Sequence, residues 1–138
     1  MALRKIGFTE LVTAIYTRLT TDDLTSDYDT YDYVPNNATL PYISISSPIG
    51  TRSASFSAQD TPAQDNIVMI HVWSDYKGTK ECADMLDDIA QALDGTALSI
   101  TGYTPVIAHL DYTDIIIDGT EPARPIRHGV LRFRVHMA

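Results

Sequence analysis

The sequence has a single cysteine, no long apolar run and few basic residues. Of its 138 residues, ten are Lys or Arg and 18 are Asp or Glu, so the formal net charge is −8. Cys82 alone cannot form an intramolecular disulfide or supply the ligand set of a zinc site. No stretch approaches the roughly 18 apolar residues of a membrane span, and the N-terminus lacks the apolar core of a secretory signal. We therefore expect a soluble protein that does not bind membranes and can fold in a reducing cytoplasm.

The motifs that usually carry catalysis or cofactor binding are also missing. The sequence contains no Gly-rich phosphate loop and no G-x-S-x-G nucleophile elbow. The four histidines, at positions 71, 109, 128 and 136, lack the short spacing of metal ligands. Cys82 falls on the apolar stripe of a predicted helix, where a thiol is usually an inert small hydrophobe. The sequence therefore predicts no enzyme, no cofactor and no metal site.

The composition that is present is typical of one globular domain. Hydrophobic residues make up 44% of the chain and charged residues 20%. A chain of this length removes roughly two-thirds of its unfolded surface from water, which is enough for one core. Since no internal repeat or composition change marks a boundary, we expect residues 1–138 to form a single domain.

Two segments have the three- and four-residue apolar spacing of amphipathic helices. The apolar positions are 8, 11, 12, 15, 16 and 19 in the first segment and 82, 86, 89, 90 and 93 in the second. Thr79 is a suitable N-cap for the second helix, and Gly95 suits the position just after its end. Each helix is predicted to bury one face.

Most of the remaining chain has strand-like patterns. The candidate strands lie near residues 31–34, 41–46, 66–73, 98–118 and 126–136. Residues 66–73 are apolar at almost every position, which predicts a central strand covered on both faces, with Trp73 sealing the core. The order of elements favours the α+β class, namely a mostly antiparallel β-sheet with two amphipathic helices packed on one face.

Residues 48–65 interrupt these patterns with a long polar segment. It is rich in Ser, Ala, Thr and Gln and contains one Phe. A segment of this length and composition is usually a functional loop or an extended hairpin arm. We therefore take Arg52, Phe56, Gln59 and Asp60 as candidate contacts with a neighbouring subunit or partner.

Charge is distributed unevenly along the chain. All 18 acidic residues lie at or before Glu121 with six of the ten basic ones, which gives −12 there, and the remaining residues carry +4. Arg132 and Arg134 alternate on the last predicted strand, where they either solvate one face or contact an acidic partner surface. A head-to-tail ring joins two different surfaces of one subunit, so opposite charges on one chain suit it. In that case Asp84 or Asp88 of a neighbour is the predicted partner.

Several short motifs follow one another in a distinctive order. After the N-terminal helix come PYISI at residues 41–45, IHVWS at 70–74 running into a Lys-Gly turn and the second helix, and GVLRFRV at 129–135. In this order and spacing, over nearly the whole chain, the sequence resembles the tail completion, or head-to-tail joining, proteins of long-tailed bacteriophages. The segments at 48–65 and 121–125 are longer than the resemblance leads us to expect.

The resemblance implies a structural virion protein rather than an enzyme. Such a protein assembles in the bacterial host cytoplasm as a homo-oligomeric ring, typically a hexamer, between the tail-tube protein and the head connector protein, and it is encoded by a phage or prophage. DNA passes through the ring without specific binding. Six copies of a chain of −8 carry −48, and a net negative ring would not hold phosphates.

Three alternative functions remain open at this point. One is another phage neck or minor tail component, such as a tail terminator. A second is a small α+β ligand-binding domain with a pocket built from His71, Trp73 and His109. A third is a stand-alone protein-interaction module.

Overall fold

The computed structural model describes residues 6–52, 64–100, 106–118 and 126–137. The described chain contains two α-helices, α1 (Phe8–Thr21) and α2 (Lys80–Leu93). Its strands are β1 (Asp29–Tyr31), β2 (Tyr42–Ile45), β3 (Ile49–Arg52), β4 (Gln64–Ser74), β5 (Ala97–Leu98), β6 (Val106–Asp118) and β7 (Ile126–Met137). None of its helices is long and apolar enough to cross a membrane.

The strands form one sheet in the order β1-β2-β4-β7-β6-β5, and β3 pairs with a further part of β4. The pairing is antiparallel except between β1 and β2. The longest pairings join β7 to β4 on one side and to β6 on the other, so β7 is the centre of the sheet. This arrangement confirms the predicted α+β class and the mostly antiparallel sheet.

Both helices pack on one face of the sheet and form the core with it, as predicted. Leu11, Ile15 and Leu19 of α1 are buried, as are six residues of α2, including Cys82 and Ile89. The sheet contributes alternate residues of β2, β4, β6 and β7, of which Phe133 is the largest fully buried side chain. Tyr16, which was expected on the buried stripe of α1, is 42% exposed instead. The apolar spacing therefore predicted both helices correctly, but it assigned Tyr16 to the buried face of α1 although this residue is exposed.

The prediction that β4 is covered on both faces is wrong. Val68, Ile70 and Val72 are fully buried under the helices, whereas the alternate residues Met69, His71 and Trp73 are only half-buried on the opposite face. We call this opposite side the open face, because both described helices pack on the other side. Trp73 therefore does not seal the core. Its large apolar surface is shielded by neighbouring side chains of the sheet instead.

The strands at the N-terminal edge differ from the sequence prediction. The strand expected near residues 31–34 lies at Asp29–Tyr31 and pairs in parallel with β2. Within residues 48–65, β3 pairs with the first residues of β4, and Arg52 lies opposite Gln64. Arg52, where the chain leaves the sheet, is therefore adjacent to Gln64, where the chain enters it again. Residues 53–63 between them are outside the described ranges.

Candidate assembly interface

The two arginines predicted to contact a neighbour lie together on the open face. Arg132 Nε donates to Asp111 Oδ1 over 2.8 Å, and Arg134 Nη2 lies 3.6 Å from Asp111 Oδ2. The Arg132 guanidinium also lies 5.4 Å from the centre of the Tyr112 ring. About 40% of the Arg132 side chain and 60% of the Arg134 side chain are exposed. The arginines are therefore held by one aspartate of their own chain and still present charge to solvent.

A bulge in β6 places Asp111 between these arginines. Leu110 lies opposite Phe133 and Tyr112 lies opposite Arg132, so Asp111 is the extra residue of β6. An extra residue interrupts the strict alternation of faces and redirects a side chain. The hydrogen bond from Arg132 lowers the pKa of Asp111, since it favours the carboxylate form. The contact of Asp111 with both arginines depends on this irregularity.

The acidic residues predicted to receive the arginines already have partners in their own chain. Lys80 Nζ donates to Asp84 Oδ2 over 2.7 Å, one turn apart on α2. The Tyr28 hydroxyl donates to Asp88 Oδ2 over 2.7 Å. The Lys80–Asp84 pair is largely exposed and of little energetic value, so it could exchange partners at an interface.

The remaining predicted contact residues lie in or beside the polar segment. Phe56, Gln59 and Asp60 are outside the described residues, and for Arg52 only the backbone position at the end of β3 is described. The structure therefore fixes where this segment leaves the sheet but not which side chains reach a partner.

A chain of hydrogen bonds crosses the open face at the level of β2. Ser46 Oγ lies 2.6 Å from His71 Nε2, and His71 Nδ1 lies 2.7 Å from His128 Nε2. Trp73 stacks on His128, with the ring centroids 3.9 Å apart, and donates its indole N–H to Ser44 Oγ at 3.3 Å. Sequence reasoning missed this cluster because His71 and His128 are 57 residues apart and meet only through the register of β4 with β7.

The predicted pocket of His71, Trp73 and His109 is not assembled. His71 lies opposite Val130 on β7, whereas His109 lies opposite Arg134, four residues further along the same strand. Four strand residues span about 13 Å. The described residues contain a groove of about 540 Å³ elsewhere, between the threonine-rich face of α1 and residues 97–100. No group of three or more His, Cys, Asp or Glu within the described ranges could hold a metal ion.

The His71 cluster predicts a loss of stability at acid pH. Burial of the imidazole, and then the nearby His128, lower the pKa of His71 below its ordinary value near 6.5. Because unfolded His71 binds a proton more readily than folded His71, the free energy of unfolding falls as pH drops below about 6.5. The contribution is at most about 1.4 kcal/mol per pH unit. Urea unfolding followed by Trp73 fluorescence at pH 7.5, 6.5 and 5.5 measures it.

Replacement of the histidine separates this contribution from that of other groups. The His71→Gln variant should lose stability less steeply between pH 7.5 and 5.5 than the wild type does. The control is Tyr33→Ala, at a position that is 85% exposed, and this variant should keep the wild-type slope. Equal slopes in all three proteins would contradict the assignment to His71.

The fold is that of an α+β domain with two helices on one face of a mostly antiparallel sheet. A chain in the virion of a native gene transfer agent particle has the same fold, with a TM-score of 0.79, 19% sequence identity, and coverage of 96% of this chain and 98% of that one. Residues 13–138 match the family described as tail completion protein gp17. The chain belongs to this family and is a structural tail protein. No curated protein sequence matches it.

Proposed function

We propose that the chain forms a ring, with six subunits, at the junction between the tail and the head of a phage-like particle. In this proposal it completes or terminates the tail and joins the tail-tube protein to the head connector protein. The observation that carries the proposal is the family match over residues 13–138. The uneven charge supports it, since a ring needs two different surfaces of one subunit that attract each other.

The proposed role is architectural and involves no catalysis. The chain carries a net charge of −8, so six copies would repel DNA phosphates and let the genome pass without specific binding. Assembly would take place in the host cytoplasm before the particle is complete. Arg132 and Arg134 would exchange part of their contact with Asp111 for an acid of the neighbour, such as Asp84.

The solution mass tests the ring directly. Light scattering after size exclusion, across concentration and salt, should show a species of about 92 kDa for six copies of 15.3 kDa, alone or after addition of tail-tube or connector protein. Charged contacts predict that this species dissociates as salt is raised. A strict monomer under all of these conditions would contradict the proposal.

The polar segment can be removed without opening the sheet. Because Arg52 and Gln64 lie opposite each other, an Asn-Gly turn in place of residues 53–63 would close a two-residue hairpin. If the segment contacts a neighbour or the tail tube, this variant should fold normally and yet assemble at least about tenfold more weakly, a loss of about 1.4 kcal/mol. Sedimentation measures the assembly, and circular dichroism with urea unfolding measures the fold.

A pair of single substitutions serves as a finer test of the same segment. Phe56→Ala removes an aromatic side chain within the segment, and Tyr33→Ala removes one that is 85% exposed elsewhere. Only the first should weaken assembly. If the shortened hairpin assembles at the wild-type concentration, the segment has no part in the junction.

A further inference from the structure

The outer edge of β6 is unpaired over most of its length within the described chain. On its inner side β6 pairs with β7 from Ile107 to Asp118, apart from the bulge at Asp111. On its outer side β5 pairs only with Val106 and Ile107. Asp94 forms an isolated β-bridge with Ala108, and its Oδ1 accepts a hydrogen bond from the backbone N–H of Leu110. No described strand lies along residues 111–118. These eight residues form roughly 25 Å of edge, and the backbone groups that point away from β7 have no described strand to pair with.

This edge has only part of the protection that usually prevents strands from pairing between molecules, namely the bulge at Asp111 and three aspartates. Lys, Pro or a covering helix commonly protects an edge strand. Residues 111–118 instead contain three consecutive isoleucines and no Lys or Pro. Tyr112 and Ile116 are each 46% exposed and Ile117 is 64% exposed. Near the isoleucines, Asp114 Oδ1 accepts a hydrogen bond from the backbone N–H of Ile115, which removes one donor from the edge. The β-branched isoleucines between Asp114 and Asp118 are suited to pairing with another strand.

A second unpaired edge lies on the other side of the sheet. β3 pairs with β4 on one side, and no described strand pairs with its other side. Ile49 of β3 is 65% exposed. β3 contains Arg52 and no acid, whereas residues 111–118 contain three aspartates and no base. Because Asp111 is already paired with Arg132 and Arg134, the negative charge of this edge comes from Asp114 and Asp118. The two edges thus combine exposed isoleucines with opposite charge.

We infer that the β6 edge of one subunit pairs with the β3 edge of the next copy of this chain, so that the sheets continue from subunit to subunit. The inference rests on the ring proposed above and specifies its interface. The two edges belong to different surfaces of one chain, and such a contact repeats head to tail and can close into a ring. The length of β3 limits the pairing to about four residues, or roughly 13 Å.

The other available edges fit β6 less well. β1 carries Asp29 and lies between Asp27 and Asp32, so its charge would repel the acids of β6. Pairing of β6 with β6 of a second copy would also bring acidic residues together. That contact would be symmetric and would end at a dimer. The β3 edge is the described alternative with complementary charge.

Lysine substitutions test whether these edges hold the assembly. Ile117→Lys and Ile49→Lys each place a charge on one edge, and each should raise the dissociation constant of the assembly at least about tenfold. Leu24, 42% exposed after α1, supplies the control, and Leu24→Lys should assemble as the wild type does. All three side chains are exposed, so urea unfolding midpoints of the monomers should stay unchanged.

Cysteine pairs identify which edges meet. Cys82, the natural cysteine, is buried, so a thiol placed on an edge reacts separately. Cysteine at Ile49 or Thr51, combined with cysteine at Ile116 or Ile117, gives four double variants that sample the register. Opposite residues of paired strands lie within the range of a disulfide. Oxidation should give a ladder of covalent oligomers on a non-reducing gel for at least one double variant, and none for the single variants.

The outcomes separate this inference from the ring proposal. Ring-sized protein that forms no ladder, and that tolerates both lysine substitutions, would overturn the edge pairing and leave the ring intact. A covalent dimer from the Ile117→Cys variant alone would overturn it in favour of symmetric β6 pairing. A wild-type protein that stays monomeric with every partner would overturn both.

Discussion

Replacing Phe133 with alanine is expected to lower the free energy of unfolding by about 3–5 kcal/mol. Phe133 lies in the central strand β7, opposite Val68 of β4 and Leu110 of β6, and its side chain is 1% exposed beneath the helices. The substitution removes a large apolar group and leaves a cavity that the rigid sheet cannot close. Since domains of this kind are stable by about 5–15 kcal/mol, the variant loses a large part of its stability.

Urea unfolding of purified protein measures this effect. The single tryptophan, Trp73, reports on β4, and circular dichroism reports on the helices, so coincident transitions would also test two-state behaviour. Tyr33→Ala, at a position that is 85% exposed, should change stability by less than about 0.5 kcal/mol. A loss below about 1.5 kcal/mol for Phe133→Ala would contradict the central position of β7 in the core.

The sequence was sufficient to predict the parts of the fold that depend on local periodicity. The apolar spacing of α1 and α2 follows from which side chains can share one helix face, so both helices were found within a few residues. The alternation of residues along β4 and β7 identified which side chains lie on the same face of the sheet. It could not show what lies on each side of the sheet. Apolar residues such as Met69 and Trp73 were therefore assigned to a second covered face, although they are half-buried on the open face.

The candidate interface was less predictable because it depends on register. The alternation of Arg132 and Arg134 along the last strand predicts that they share one face of the sheet. Their shared contact with Asp111 requires a bulge in β6, which no local sequence pattern predicts. The hydrogen bond between His71 and His128 likewise requires the alignment of two strands far apart in the chain. Open edges are a property of the whole sheet. They become visible only when the neighbours of every strand are known.

A second large effect is expected at Gly129, where α2 lies close to the sheet. A Cβ atom at this position of β7 would lie 2.9 Å from Cys82 Sγ and 2.9 Å from Leu86 Cδ2, closer than real Cβ contacts. Alanine normally stabilises a strand relative to glycine, because it restricts the unfolded chain. Here the buried side chains of Cys82 and Leu86 must shift within a packed core, so Gly129→Ala should instead lower the free energy of unfolding by about 1–3 kcal/mol.

Alanine is expected to destabilise the protein at Gly129 but not at Gly78, so the sign of the change in stability tests how closely α2 packs on β7. Gly78, in the turn before α2, has open space around it, and the nearest atom to an added Cβ is 4.0 Å away in Tyr76. Gly78→Ala should therefore be neutral or stabilise the protein by up to about 1 kcal/mol. If urea unfolding showed that Gly129→Ala also stabilises the protein, α2 could not pack on β7 as closely as Cys82 and Leu86 indicate. Because α2 covers the core between β4 and β6, that result would require a different placement of the helix on the sheet.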